Sequence, residues 1–346
     1  MSLLKQIDHL PEGLLLLDAT QLHRHLGGPT LMHLQGRRSP PLFLSVMMHG
    51  NETTGWDAVR RVLRRYQQED GSLDLPRSLS LFIANTSAAE VGLRHLPEQP
   101  DYNRVWPGTE APDGPETRLM RAVLDEMAGR EIFAAIDLHN NTGMNPHYAC
   151  VNVLEHGALH LAALFSRTVV FFVRPRGVAS MAMAALGPSV TLECGKVGQE
   201  HGTEHAADYV DACLHLAELP SHPVAAHDID LFHTVAVVRV PVDVAFGFGD
   251  NGYALDFNAD LDRLNFRELP VGTSFGRVNN GGLMPLDVRD EDDGLVADRY
   301  FEVAQGHLKT RLPVMPSMLT CDTTVIRQDC LCYLMERYDA HLRDAG

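Results

Sequence analysis

The sequence predicts an α/β fold built on a largely parallel sheet, followed by a smaller β-rich C-terminal domain. Two observations carry that expectation. Apolar runs of strand length alternate with helical stretches through the first two-thirds of the chain: Leu42–Met48, Leu79–Ala84, Phe133–Leu138, Val169–Val173 and Val190–Leu192. Near-continuous apolar strands separated by helices mark a parallel sheet covered on both faces. The character then changes near Leu219-Pro-Ser-His-Pro223, after which short runs are punctuated by Gly, Asn and Pro.

Each element follows from local chemistry. A helix is expected over Thr53–Tyr66, with Gly50 allowing a tight turn before it and Asn51 and Thr53 both suited to cap it. A second, Glu116–Ala128, is entered through Pro115, whose missing N–H costs nothing at a helix start. Beyond the boundary come an alternating run, Thr234–Val240, then AFGFGDNGY and VGTSFGRVNNGG. A closing helix is expected from Thr324 to about Leu342, capped by Asp322 or Thr323. The domains are therefore read as residues 1–219 and 220–346.

Composition excludes several classes. Hydrophobic residues make up 45% and charged residues 21% of 346, an ordinary globular balance. A net charge of −16 argues against a phosphate-tracking surface, because nucleic-acid binders carry a basic stripe. The one apolar run near the start, Leu14–Leu17, is too short for a signal peptide, and no membrane-spanning stretch follows. The chain is read as soluble and cytoplasmic, with no nucleic-acid or membrane partner, and the sequence leaves homo-oligomerisation open. None of the six cysteines forms a C-x₂-C pair, and Cys330-Leu-Cys332 looks helical, so any metal should be held by His and carboxylate.

His49-Gly-Asn-Glu52 is the first candidate. With 18 His and 45 acidic residues in the chain, roughly two His-x-x-acid pairs are expected by chance. Decoys are indeed present, among them His95–Glu98, His201–Glu204 and His227–Asp230. Context separates the first from them. His49 follows directly on the apolar run PLFLSVMM, and ligand sites of open α/β sheets collect at the carboxyl ends of strands. A second strand ends in Asp137-Leu-His139, so His49, Glu52 and His139 can converge on one edge. Two His and one Glu leave a tetrahedral zinc an open position, the catalytic pattern. Asp137 either orients a ligand histidine from behind or caps a loop. A third strand end supplies Glu193, placed to take a proton from metal-activated water.

In this order, His49-Gly-Asn-Glu52-Thr53, Asp101-Tyr-Asn103-Arg104 with Pro107-Gly108, Asp137-Leu-His139 and Thr191-Leu-Glu193-Cys-Gly195-Lys196 resemble the succinylglutamate desuccinylase/aspartoacylase family. That family is a branch of the zinc carboxypeptidase-like metallohydrolases, and the resemblance spans roughly residues 40–215. It implies a phosphorylase/hydrolase-like α/β/α sandwich and one zinc per chain on His49, Glu52 and His139, with Glu193 as general base. It also implies that Asn103 and Arg104 bind the carboxylate of a small anionic N-acyl amino acid, as a guanidinium forks onto a carboxylate. Arg94 is the candidate for polarising the scissile carbonyl, although it stands further from the Asn-Arg pair than the family's arginine does. Arg174 and Arg176 are offered as contacts for a dicarboxylic acyl group, against the reading that they only solvate a loop. The stretch from Asn140 to His147 departs from the family pattern and borders the site, with His147 as a further pocket candidate. Two rivals remain in view: a zinc carboxypeptidase acting on peptides, and a non-catalytic zinc- or carboxylate-binding protein.

Overall fold

The computed structural model of the protein describes residues 4–338. These residues gather into two compact units. The first comprises the chain up to Asn140, His147–Phe171 and Pro175–Asp230. The second takes in Asn141–Pro146, Phe172–Arg174 and the described residues from Leu231 onward.

The first unit contains strands β1 (Lys5–Ile7), β2 (Thr30–Leu34), β3 (Leu42–Val46), β4 (Leu79–Ile83), β5 (Ala134–His139), β6 (Tyr148–Val151), β7 (Thr168–Phe171) and β8 (Ser189–Glu193). Its helices are α1 (Leu22–Leu26), α2 (Thr54–Tyr66), α3 (Thr86–Glu90), α4 (Pro115–Ala128), α5 (His156–Phe165), α6 (Ala179–Met183) and α7 (Glu200–His215). The strands lie in the order β1-β2-β4-β3-β5-β8-β6-β7. All neighbouring pairs are parallel except β2 with β4 and β8 with β6. The five apolar runs expected as strands all become strands, within one or two residues at most ends.

Both sheet faces are covered because both faces of the central strands are apolar. Phe43, Phe82 and Ala135 join Leu119, Met120, Val123 and Met127 of α4 and Ala179 and Met183 of α6 in one buried cluster. Trp106 completes it, edge-on to Phe82 with centroids 6.2 Å apart. On the opposite face α2 packs against β5 and α7. Its buried Trp56, Val59, Val62 and Leu63 recur at helical spacing, while arginines fill much of its outer face. This is the mixed, mostly parallel α/β architecture that the sequence predicts. No helix among the described residues is long and apolar enough to cross a membrane.

The second unit is β-rich. Strand β9 (Asp230–Arg239) is flanked by β13 (Asp287–Asp290) and β17 (Cys332–Arg337), both antiparallel to it, and β17 pairs with β16 (Met315–Ser317). A separate five-stranded sheet runs β10 (Phe246–Phe248), β11 (Leu255–Phe257), β12 (Ser274–Val278), β15 (His307–Thr310), β14 (Phe301–Ala304), and α8 (Ala297–Tyr300) leads into β14. Phe257, Phe275, Phe301 and Leu308 from that sheet and Val238 and Leu334 from β9 and β17 share one core.

The closing helix is a correction. Helix α9 spans only Thr323–Gln328, capped by Asp322, whose side chain accepts from the N–H groups of Thr324 and Val325. Asp329 leaves helical geometry (φ −134°, ψ −88°), and Cys332–Arg337 becomes β17, so Cys330-Leu-Cys332 is not helical either. The remainder of the expected helix, beyond residue 338, lies outside the described residues. Pairing with β9, Leu334 opposite Ala236, outweighs a helical pattern whose apolar residues serve a strand equally well.

Candidate metal centre

Three strand ends meet at the carboxyl edge of the first unit. Register fixes their relation: Ser45 of β3 lies beside Asp137 of β5, and His139 of β5 beside Glu193 of β8. After β3 the chain turns sharply. Met47 takes a left-handed φ of 61°, a conformation that non-glycine residues adopt mainly where surrounding structure enforces it. A Cβ on Gly50 would stand 2.3 Å from the Ala89 backbone nitrogen, so only glycine passes there. The Glu52 N–H donates to the His49 carbonyl (3.1 Å), which brings both side chains to the same side before α2 begins.

The resulting cluster is buried. His49, Glu52 and His139 are 4%, 7% and 3% exposed. One donor atom from each lies within 4.8 Å of the others. Among the described residues this is the single group of three or more such side chains that meets that condition. Glu52 sits between the imidazoles: Oε1 is 2.8 Å from His49 Nδ1 and Oε2 is 2.9 Å from His139 Nδ1. The other ring nitrogens face carboxylates, His49 Nε2 at 3.0 Å from Asp101 Oδ1 and His139 Nε2 at 2.7 Å from Asp137 Oδ2. A carboxylate behind each Nε2 favours a proton there and turns the Nδ1 lone pair inward, the arrangement that supports metal-bound histidines. The residues therefore fit a divalent ion held by two imidazoles and one carboxylate. Asp137 orients His139, and is itself held by Ser45 Oγ at 2.6 Å.

Electrostatics agree with a cation's place. Burial alone would lower the His49 and His139 pKa values, yet the facing carboxylates raise both, His139 well above the usual imidazole range. Glu52 and Asp101 are pulled below the carboxylate range: burial opposes this, but His49 and His139 around Glu52, and Arg94 and His49 around Asp101, prevail. A bound cation would take the place of the protons that the two imidazoles otherwise favour at Nδ1, facing carboxylates that are already ionised. Glu193 behaves oppositely. Burial pushes its carboxyl up to about 7, against the pull of His139 and with a further push from Glu52. Its Oε2 is buried and has no hydrogen-bond partner among the described residues.

The remaining candidates fall in different places. Arg94 is drawn to the cluster: its Nε and Nη2 donate to Asp101 Oδ2 (3.1 and 2.8 Å), and Nη1 is 3.6 Å from Glu52 Oε1. Asn103 is buried, with Oδ1 accepting from the Ala179 N–H at 2.9 Å and Nδ2 3.2 Å from His139 Nε2. Arg104 follows in the same short turn, capped by the Asp101 side chain, and Nη1 donates to the Asn103 carbonyl at 2.8 Å. Arg176 is exposed and 3.3 Å from Glu110, and Arg174 Nε donates to the Glu291 carbonyl within the second unit. His147 stacks on His201 and His205 of α7, with centroids 5.5 and 5.1 Å apart.

Sequence reasoning assigned no role to Asp101, the residue that joins His49 to Arg94 and also accepts from the Asn103 N–H at 2.8 Å. Its place at the head of Asp101-Tyr-Asn103-Arg104 was the available signal. Thr53 stands at the N-cap of α2, as expected, but makes no side-chain cap bond, and Asn51 Oδ1 has no partner among the described residues. The Thr54 N–H is met instead by Asn140 Oδ1, 3.2 Å away, from the end of β5.

Fold and cluster together define an α/β protein with a candidate metal-binding centre at the carboxyl edge of its sheet. The model of the succinylglutamate desuccinylase/aspartoacylase catalytic domain matches residues 38–216, and the chain belongs to that family. Solved structures agree on the fold. The chain is similar to a succinylglutamate desuccinylase from Chromobacterium violaceum, with 17% identity, TM-score 0.56 and coverage of 88% of this chain and 86% of that one. It is similar to a succinylglutamate desuccinylase/aspartoacylase from Rhodobacter sphaeroides, with 15% identity, TM-score 0.57 and coverage of 90% and 89%. Murine aminoacylase 3 gives 16% identity, TM-score 0.54 and coverage of 87% and 97%. No curated protein sequence matches the chain significantly.

Proposed function

We propose that the protein is a zinc-dependent amide hydrolase that releases an amino acid from a small N-acyl amino acid. One observation carries the reading. In a chain of the desuccinylase/aspartoacylase family, His49, Glu52 and His139 converge, and Glu193, whose buried Oε2 has no hydrogen-bond partner among the described residues, lies beside His139 in register. The two-His, one-Glu set favours zinc among divalent ions. When bound, zinc supplies a Lewis acid that lowers the pKa of water to ~7 and polarises a carbonyl.

This chain's residues do the rest. Glu193, with a carboxyl near neutrality, takes the proton of the attacking water and returns it to the leaving amine. Arg94, held by Asp101, shares the negative charge that develops on the carbonyl oxygen. Arg104, with Asn103 beside it, receives the substrate carboxylate and fixes its orientation. A local cation of this kind reconciles an anionic substrate with a net charge of −16.

Arg104→Ala is expected to lower kcat/KM for the preferred substrate by about 10–100-fold, chiefly through KM, as a charge-assisted pair is lost. Lysine there should recover little, since it cannot fork onto a carboxylate. Steady-state kinetics decide it, and an unchanged KM would remove Arg104 from substrate binding. The reading as a whole is tested by metal content and by hydrolysis of a panel of N-acyl amino acids before and after chelation. About one zinc per chain, with chelator-sensitive release of a free amino acid, is the expected result. Zinc without turnover would overturn the small-amide reading in favour of peptides or a binder, and a metal-free protein that takes up none would overturn the whole.

A further inference from the structure

Asn140 has been described so far only as the partner of the Thr54 N–H, yet it touches all three segments of the centre. It is 3% exposed, immediately after His139. Its backbone N–H donates to Glu52 Oε2 at 3.0 Å. Its side-chain Oδ1 accepts from the Thr54 N–H (3.2 Å), and Nδ2 donates to Thr54 Oγ1 (2.9 Å). The same Nδ2 donates to the Gly195 carbonyl at 2.8 Å, in the turn that follows Glu193.

This set of bonds needs an amide. Both N–H donors and the carbonyl oxygen of the side chain are used, and no other side chain of that size offers two donors and an acceptor in one plane. The partners are chosen as well. The Thr54 N–H is in the first turn of a 13-residue helix whose own N-cap residue makes no side-chain bond, so Asn140 caps α2 from another strand and thereby fixes Glu52, two residues upstream. Gly195 sits at φ 78°, where a Cβ would come within 3.0 Å of His147 Nε2. The turn after the base thus takes a conformation suited to glycine, and its carbonyl is tied to Asn140.

We propose that Asn140 is a positioning residue: one side chain holds the metal-ligand segment of Glu52 and the base-bearing segment of Glu193 at a fixed separation. The assignment of Glu193 as base rests on the function proposed above; the hold on Glu52 does not. Asn140→Ala is expected to weaken zinc binding and to lower kcat, each by ~10–100-fold with KM within about threefold, as is typical when a partner behind a metal ligand is removed. Asn140→Asp keeps the shape and the acceptor for the Thr54 N–H, but turns a carboxylate oxygen on the Gly195 carbonyl. It is expected to bind zinc no more than about threefold more weakly and still lose at least ~10-fold in kcat.

The experiment measures zinc affinity by competition with a chromophoric chelator, kcat and KM at full zinc occupancy, and the folded fraction by circular dichroism. Zinc affinity of folded Asn140→Ala equal to wild type overturns the hold on Glu52. Asn140→Asp turning over within about threefold of wild type, zinc-saturated, overturns the link to the base; this variant decides that link even where alanine fails to fold. A wild type that hydrolyses no member of the panel sinks the proposed function instead, and the zinc affinities still decide the first half.

Discussion

Alanine at position 139 is expected to strip the protein of zinc and, with it, of amide hydrolysis. His139 supplies one of three converging donors, and two donors hold a divalent ion far more weakly than three. The loss should exceed the ~10–100-fold that follows from removing a partner behind a ligand. The substitution also leaves Asp137 Oδ2 without its imidazole partner in a residue 2% exposed, so some stability is lost with the metal. Ser45 still donates to the other oxygen, which limits that loss. The check is zinc per chain after dialysis against a metal buffer, with hydrolysis measured in parallel. Chelated wild type should regain activity when zinc returns; His139→Ala should not. Full zinc occupancy in the variant would break the proposed ligand set, whatever its activity.

Much of this centre could be read from the chain because its logic is local. Each of the three strand ends is announced by an apolar run that stops at a polar residue, and a parallel sheet brings such ends to one edge. His49 and Glu52 are three residues apart, and Asp137 and His139 are two apart on one strand, so their contacts follow from strand and turn geometry. What escaped the sequence is what depends on distant pairing. Asn140 caps a helix that begins 86 residues earlier, and local rules for caps pointed instead to Asn51 and Thr53. The four-residue strand β6 enters antiparallel beside β8, from a stretch too short to show a period. Cys332–Arg337 reads as helix on its own residues and becomes strand because β9 offers an edge to pair with.

Glu193→Gln is expected to keep zinc and lose ~10²–10⁴ in rate, the usual worth of a positioned general base. Glutamine preserves the shape, and a carboxyl that meets no hydrogen-bond donor at Oε2 among the described residues can be exchanged for an amide with little structural consequence. The exchange removes only the capacity to take a proton. That capacity is tuned by burial, which pushes the carboxyl up to about 7, while a bound cation would draw it back down. In the proposed base role the carboxylate form is the active one, so wild-type turnover should fall as pH drops through the pKa of Glu193, and the residual activity of Glu193→Gln should lack that acid limb. Glu193→Asp sets the carboxylate back by one methylene and should fall between the two. A glutamine variant with near-normal turnover and an unchanged acid limb would remove Glu193 from the base role and leave the ligand set standing, because the two claims rest on different atoms.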